Sequence, residues 1–241
     1  GGEIIPKIVD VDKEARVESD LERVVFPKDC PICGTSLIRV EGEAAHYCPN
    51  DSGCPPQIKG KIEHFVTRKA MNINIGPETI EDLYDAGLVK DVADLYILKI
   101  CDLLRLERWA EKSANNLMKS LENSKEVPFG RVLYGLGIRY VGETVAKRLV
   151  SVFHSIEELE KASFITLTQT DEIGERIAQS VIDYFADERN RILISRLKEY
   201  GLRMSVAKDD FENQSDKLKG LSIVISGTFS KYSRDDYKVM I

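Results

Sequence analysis

The sequence predicts a mainly α protein that carries a small β-rich module built on four cysteines. Two observations predict this. Four of the five cysteines fall between positions 30 and 54, at the spacing of a metal knuckle. Between residues 65 and 185 a small residue recurs every 32 to 34 positions, each time just ahead of a helical pattern.

Composition sets the outer bounds. The 241 residues are 43% hydrophobic and 31% charged, the balance of a globular protein of one large domain or several small ones. Apolar runs such as Leu221 to Ile225 are too short to cross a bilayer, so no membrane partner is expected. Gly1-Gly2-Glu3 lacks the basic start and apolar stretch of a signal peptide, and a cytoplasmic address is the expectation. The net charge of −6 argues mildly against a nucleic-acid binder. That objection weakens if uncharged backbone amides hold the phosphates.

The cysteines are Cys30 and Cys33 in a Cys-Pro-Ile-Cys turn, then Cys48, then Cys54. A CxxC turn presents two thiolates from one side of the backbone, and zinc takes four thiolates tetrahedrally. Pro31, Gly34, Pro49, Gly53, Pro55 and Pro56 suit the knuckles. Leu37 to Val40 and Ala45 to Tyr47 read as two short strands, joined by a turn at Glu41-Gly42-Glu43. Two disulfides or four free thiols are the rival readings. Four thiolates leave no open position for water, so the expected zinc is structural. His46 reads as a strand residue rather than a ligand, and Cys101 as a small core residue.

The repeat follows. Its small residues are Gly76, Ala110, Gly142 and Gly174, stepping by 34, 32 and 32. An apolar or small residue stands four positions on (Ile80, Ala114, Ala146, Ala178) and an apolar one three beyond that (Leu83, Leu117, Leu149, Val181). Each unit reads as helix, tight turn and second helix. Pro77 suits a first helical turn, and Glu78, Glu111, Glu143 and Glu175 oppose the positive end of a helix dipole. Val145, Leu149, Val152 and Phe153 mark one apolar face. A small turn residue lets an anion approach free amide hydrogens, and glycine also permits positive φ. Candidate DNA-binding residues are Gly76, Lys112, Arg139, Gly142, Lys147, Gly174 and Arg176, with Arg148 nearby. Ala110 marks the unit expected to pack rather than touch DNA. The competing readings are helical protein-binding repeats of similar period, or tight turns with a purely structural purpose.

Read together, these strings resemble the C-terminal half of the bacterial NAD-dependent DNA ligases. Gly2 to Ile8 is similar to the last strand of that family's OB domain. Val25-Phe26-Pro27 leading to Cys30–Gly34, and Val40 to Ala44, resemble its zinc finger. Leu106 to Ala114 and Leu136 to Gly142 resemble two of its tandem helix-hairpin-helix repeats. Leu218 to Phe229, followed by Ser233-Arg234-Asp235-Asp236, resembles the start of its BRCT domain, a truncated α/β element.

The resemblance implies domains at 1–24 (end of the OB domain and linker), 25–60 (zinc finger), 61–205 (helix-hairpin-helix), 206–217 (linker) and 218–241 (BRCT start). It implies one structural zinc per chain and nicked duplex DNA as partner. The adenylation and OB domains of the same parent chain would be further partners. NAD would serve the parent enzyme and not bind here. No Lys-x-Asp-Gly nucleophile occurs, so this stretch has no catalytic residue and is expected to be inactive alone. Near residue 74 the family carries a Gly-Leu-Gly-like triplet, and Asn74-Ile75-Gly76 is one residue shorter. Two other classes compete: a non-catalytic DNA-binding accessory of a repair nuclease, and a protein-interaction scaffold.

Overall fold

The computed structural model describes residues 9, 10, 12, 14, 25–107, 109–207, 224 and 226. The expected OB strand at 2–8, Arg108, and the expected BRCT start apart from Val224 and Ser226 lie outside the described residues. So does most of the expected 206–217 linker. The chain divides into two compact units, Gly1–Ile58 and Lys59–Ile241. The division falls two residues before the boundary expected at 60, within helix α1 (Pro55–Val66).

The described part of the first unit is small and held by turns. The two expected strands reduce to isolated antiparallel bridges, Ile38 with Tyr47 and Asp29 with Ser36. Paired amides at Ile38 and Tyr47, 2.9 and 2.8 Å, form the first of these. The segments between cysteine knuckles are too short to propagate a ladder. The predicted turn is present: Glu43 N–H donates to the Val40 carbonyl, and Gly42 takes φ 81. Arg39 Nε then donates to the Glu43 carbonyl at 2.8 Å.

The second unit is helical. After α1 come α2 (Pro77–Asp85), a 3₁₀ turn at Val92–Ile97, α3 (Ile100–Leu103), α4 (Glu111–Ser124) and α5 (Phe129–Gly135). Then follow α6 (Glu143–Val152), α7 (Ile156–Glu160), α8 (Phe164–Thr168), α9 (Glu175–Ala186) and α10 (Glu188–Glu199). Helix α3 packs on α4, α5 on α6, and α8 on α9. These are the second, third and fourth predicted units. The first has the order α1, α2, but a long segment at 67–76 replaces the expected tight turn. It carries its left-handed residue at Asn72, φ 53.

The two recurring apolar positions explain why the second helices pack as they do. Ile80, Ala114, Ala146 and Ala178 are buried, and so are Leu83, Leu117, Leu149 and Val181. Three residues apart, they share one helix face. Among the four residues read as one face of α6, Leu149 and Phe153 are buried, while Val152 is exposed and Val145 half-buried. Cys101 corrects an expectation: it is exposed, because four-residue α3 turns Leu103 inward instead. Gly135 marks a close crossing, where a Cβ would meet the Phe65 ring at 3.3 Å and the Ala70 methyl at 3.4 Å.

Polar contacts tie distant segments together. Arg196 on α10 reaches Asp91 and Asp94 at the 3₁₀ turn, 2.6 Å each. Asp91 also caps that turn by accepting from the amides of Ala93 and Asp94. Val206 donates to the His154 carbonyl at 2.8 Å, and Ser155 bridges to Ser205. Residue 206 is therefore tied to the helical unit rather than being part of a loose linker. Leu149→Ala should destabilise the fold by about 2–5 kcal/mol through lost contacts and a residual cavity. A urea titration followed by circular dichroism checks this, and a midpoint equal to the parent's would contradict the packing described.

Candidate nucleic-acid interface and metal centre

The four cysteines of the first unit converge. The sulfurs of Cys30, Cys33, Cys48 and Cys54 all lie within 4.8 Å of one another. Cys30 and Cys54 sulfurs stand 3.9 Å apart, and those of Cys33 and Cys48 3.5 Å. A tetrahedral zinc with bonds of about 2.3 Å needs sulfur separations of about 3.8 Å. A disulfide needs about 2.05 Å, and all four are free thiols. The reading as two disulfides is thereby excluded, and the donor set fits one structural zinc ion. His46 stays outside the cluster and stacks on Phe26, with ring centroids 5.1 Å apart.

Without metal the thiols are unequal. Hydrogen bonding with Thr35 pulls Cys33 down to about 6, while burial pushes Cys54 up to about 12. Burial also raises Cys48. Zinc must displace protons from these groups, so its affinity falls as pH falls.

The turns of the second unit form a different kind of site. Gly76, Gly142 and Gly174 are the N-caps of α2, α6 and α9, and none has a side chain capping the helix. All three are exposed. Their φ values are −100°, −77° and −78°, so glycine is not there for positive φ, contrary to one expectation. The left-handed bends fall two residues earlier, at Tyr140 (φ 65) and Glu172 (φ 67). A Cβ at any of the three glycines would meet nothing within 4 Å. Nothing inside the described chain requires glycine at these positions. They leave free amides and an open approach to a helix N-terminus.

Ala110, like the three glycines, has no side chain capping its helix, but its own N–H is bonded. Its N–H donates to Ser113 Oγ at 3.1 Å, and the same hydroxyl donates to the Ala110 carbonyl at 2.8 Å. Ser113 thus takes up the Ala110 amide alone and leaves the first amides of α4 without a capping side chain.

The expected basic residues divide into two kinds. Arg139 and Arg176 both lie over the Tyr140 ring, at 5.0 and 5.5 Å from its centroid. Lys112 is exposed in the first turn of α4. Lys147 is engaged by Glu143 at 2.9 Å, and this pairing holds the Glu143 carboxyl below its ordinary range. Arg148 is bound by Asp171 at 2.5 Å and belongs to the scaffold. The sequence reading did not single out Tyr140, Ser113 or Ser180. Ser113 was readable as a third-position capping residue. An aromatic beside a basic residue, just ahead of the turn, was the signal at Tyr140.

The helix-hairpin-helix motif family matches residues 131–194, which contain the third and fourth turns. The NAD-dependent DNA ligase C4 zinc finger domain matches residues 29–55, which contain all four clustered cysteines. The whole chain aligns with the DNA ligase of Parabacteroides distasonis at 73% identity over 241 residues. The chain is thus similar along its whole length to bacterial DNA ligases, and its cysteine module matches the zinc finger of the NAD-dependent ones. Against the DNA ligases of Phocaeicola vulgatus and Bacteroides fragilis, the identities are 57% and 56% over 242 residues, again along the full chain. The chain spans 36% of the length of each of these ligases.

Metal analysis of this chain should find one zinc per chain. Cys54→Ser should lower that value, and acidification should release the ion by protonating the thiolates. A zinc content near zero in freshly purified protein would reject the metal centre.

Proposed function

We propose that this chain is the DNA-gripping, C-terminal portion of a bacterial NAD-dependent DNA ligase that seals nicks in duplex DNA during replication and repair. In that reading the parent enzyme works in the cytoplasm and takes its adenylate from NAD. The nucleophile lies in another domain of the same parent chain, and this segment alone does not ligate. The zinc finger, with Cys30, Cys33, Cys48 and Cys54 as ligands, braces the chain ahead of the helical unit. It does no chemistry, because four thiolates close the coordination sphere.

One observation carries the reading. Three helix N-termini end in exposed glycines with no capping side chain and open space where a Cβ would stand. Free amides at a helix start bind anions, and a backbone phosphate is the anion that regularly spaced turns can follow. Gly76, Gly142 and Gly174 would supply amides, while Arg139, Arg176 and Lys112 would supply charge. Lys147 would contribute once its pairing with Glu143 loosens. The Ala110 turn, whose own N–H is taken by Ser113, would pack rather than bind. Contact with phosphates and not bases suits an enzyme that must act at any sequence.

Substitution by aspartate separates this role from a structural one. Aspartate is a good N-cap and meets open space at Gly142 and Gly174, so stability should hold. Its carboxylate would occupy the amides and repel phosphate. Gly142→Asp and Gly174→Asp should each weaken binding to a nicked duplex by about tenfold or more. Parent affinity should fall as salt rises. Salt-independent binding, or aspartate variants that bind like the parent, would refute the proposal.

A further inference from the structure

The first repeat departs from the others in its long segment at 67–76, and that segment brings a lysine to the third repeat. Arg131 on α5 holds the segment in place. Its Nε donates to the Lys69 carbonyl at 3.2 Å, and a terminal nitrogen donates to the Arg68 carbonyl at 2.5 Å. Both acceptors are neutral, so these bonds fix the backbone and leave the guanidinium charge in place. Glu143 acts on that charge through space.

So anchored, Lys69 reaches the start of α6. Its ammonium stands 3.7 Å from Glu143 Oε2, and that of Lys147 stands 2.9 Å from Oε1 of the same carboxylate. Glu143 is the first residue of α6, next to the uncapped Gly142. The Lys147 stem runs beside α5, where a Cβ on Gly130 would lie 3.9 Å from its Cγ. Two lysines from different repeats thus share one carboxylate, and together they hold it below its ordinary range. The lysine side chains stay 72% and 66% exposed. Exposed pairs of this kind contribute about 1 kcal/mol at most. Two ammoniums on one carboxylate also leave a net positive charge. A phosphodiester spreads one negative charge over two outer oxygens, as a carboxylate does, and lysine bonds either anion.

We propose that Lys69 and Lys147 form one phosphate-binding site at the start of α6, which joins the first repeat to the third. Glu143 is its placeholder, holding the two ammoniums until a phosphodiester of duplex DNA takes its place. This rests on the DNA-gripping reading above. Lys69 lies outside the recurring positions of the repeat, so the sequence pattern did not mark it. Arg131 sets where Lys69 stands and adds its own charge nearby.

The test is anisotropy of a labelled nicked duplex with the full chain, titrated at several salt concentrations, beside thermal melts of each variant. Lys69→Gln should melt like the parent and bind about fivefold more weakly, with a salt slope shallower by about 0.9. Glu143→Gln should bind about threefold more tightly, because it removes a charge that opposes the phosphate. The exposed pair of Lys198 and Glu157 is the control for total charge. Lys198→Gln and Glu157→Gln should each change affinity by less than the matching substitution at the site. Parental affinity and slope in Lys69→Gln, affinity no higher than the parent's in Glu143→Gln, or equal effects at the control pair would overturn the shared site and leave the DNA reading standing. A parent chain that does not bind the duplex at all would overturn both.

Discussion

Every α-helix begins with amide hydrogens that its own geometry cannot bond, and the arrangement of this chain turns on where those groups face. The second helix of each unit is anchored at its fourth and seventh positions past the turn, as by Ala146 and Leu149 on α6. Anchoring that face fixes the helix axis and leaves the start of the helix at the surface. At Gly76, Gly142 and Gly174 no side chain fills the gap. At Ala110 none does either, though Ser113 takes up the N–H of Ala110 itself. The same packing rule thus leaves all four helix starts at the surface, and the second differs only in its N-cap amide, bonded by the residue at the third helical position.

Charge follows a similar division. A chain with six excess negative charges is a poor general polycation. Many of its acids sit against bases that hold the helices together: Asp91 and Asp94 on Arg196, Asp171 on Arg148, Glu157 on Lys198, Glu126 on Arg203. Arg139 and Arg176 lie over an aromatic ring beside the exposed turns. Net charge is therefore a weak guide here, because it averages scaffold pairs with residues near the turns.

The periodic part of the sequence was readable because packing imposes it. The 32-residue steps located the starts of α4, α6 and α9. The cysteine spacing located a cluster whose geometry depends on four side chains of one type. What could not be read depends on contacts made once. Nothing in the pattern placed Cys101 at the surface, reduced the zinc-module strands to single bridges, or lengthened the first turn to 67–76. Lys147 and Arg148 looked alike in sequence, adjacent and equally basic. Only the fold shows that Asp171 claims Arg148, while Lys147 pairs with a glutamate of its own helix.

The position of backbone strain sharpens the account of the glycines. Had the tight turn itself required glycine, positive φ would fall on Gly142 and Gly174. It falls instead on Tyr140 and Glu172, side chains that tolerate the region poorly. The glycines take extended angles open to any residue and border empty space. Folding alone would favour the reverse assignment, glycine at the strained position and a capping serine or aspartate at the helix start. A chain that places its residues the other way round fits the proposal that a phosphate approaches the helix start, where a side chain would stand in its way.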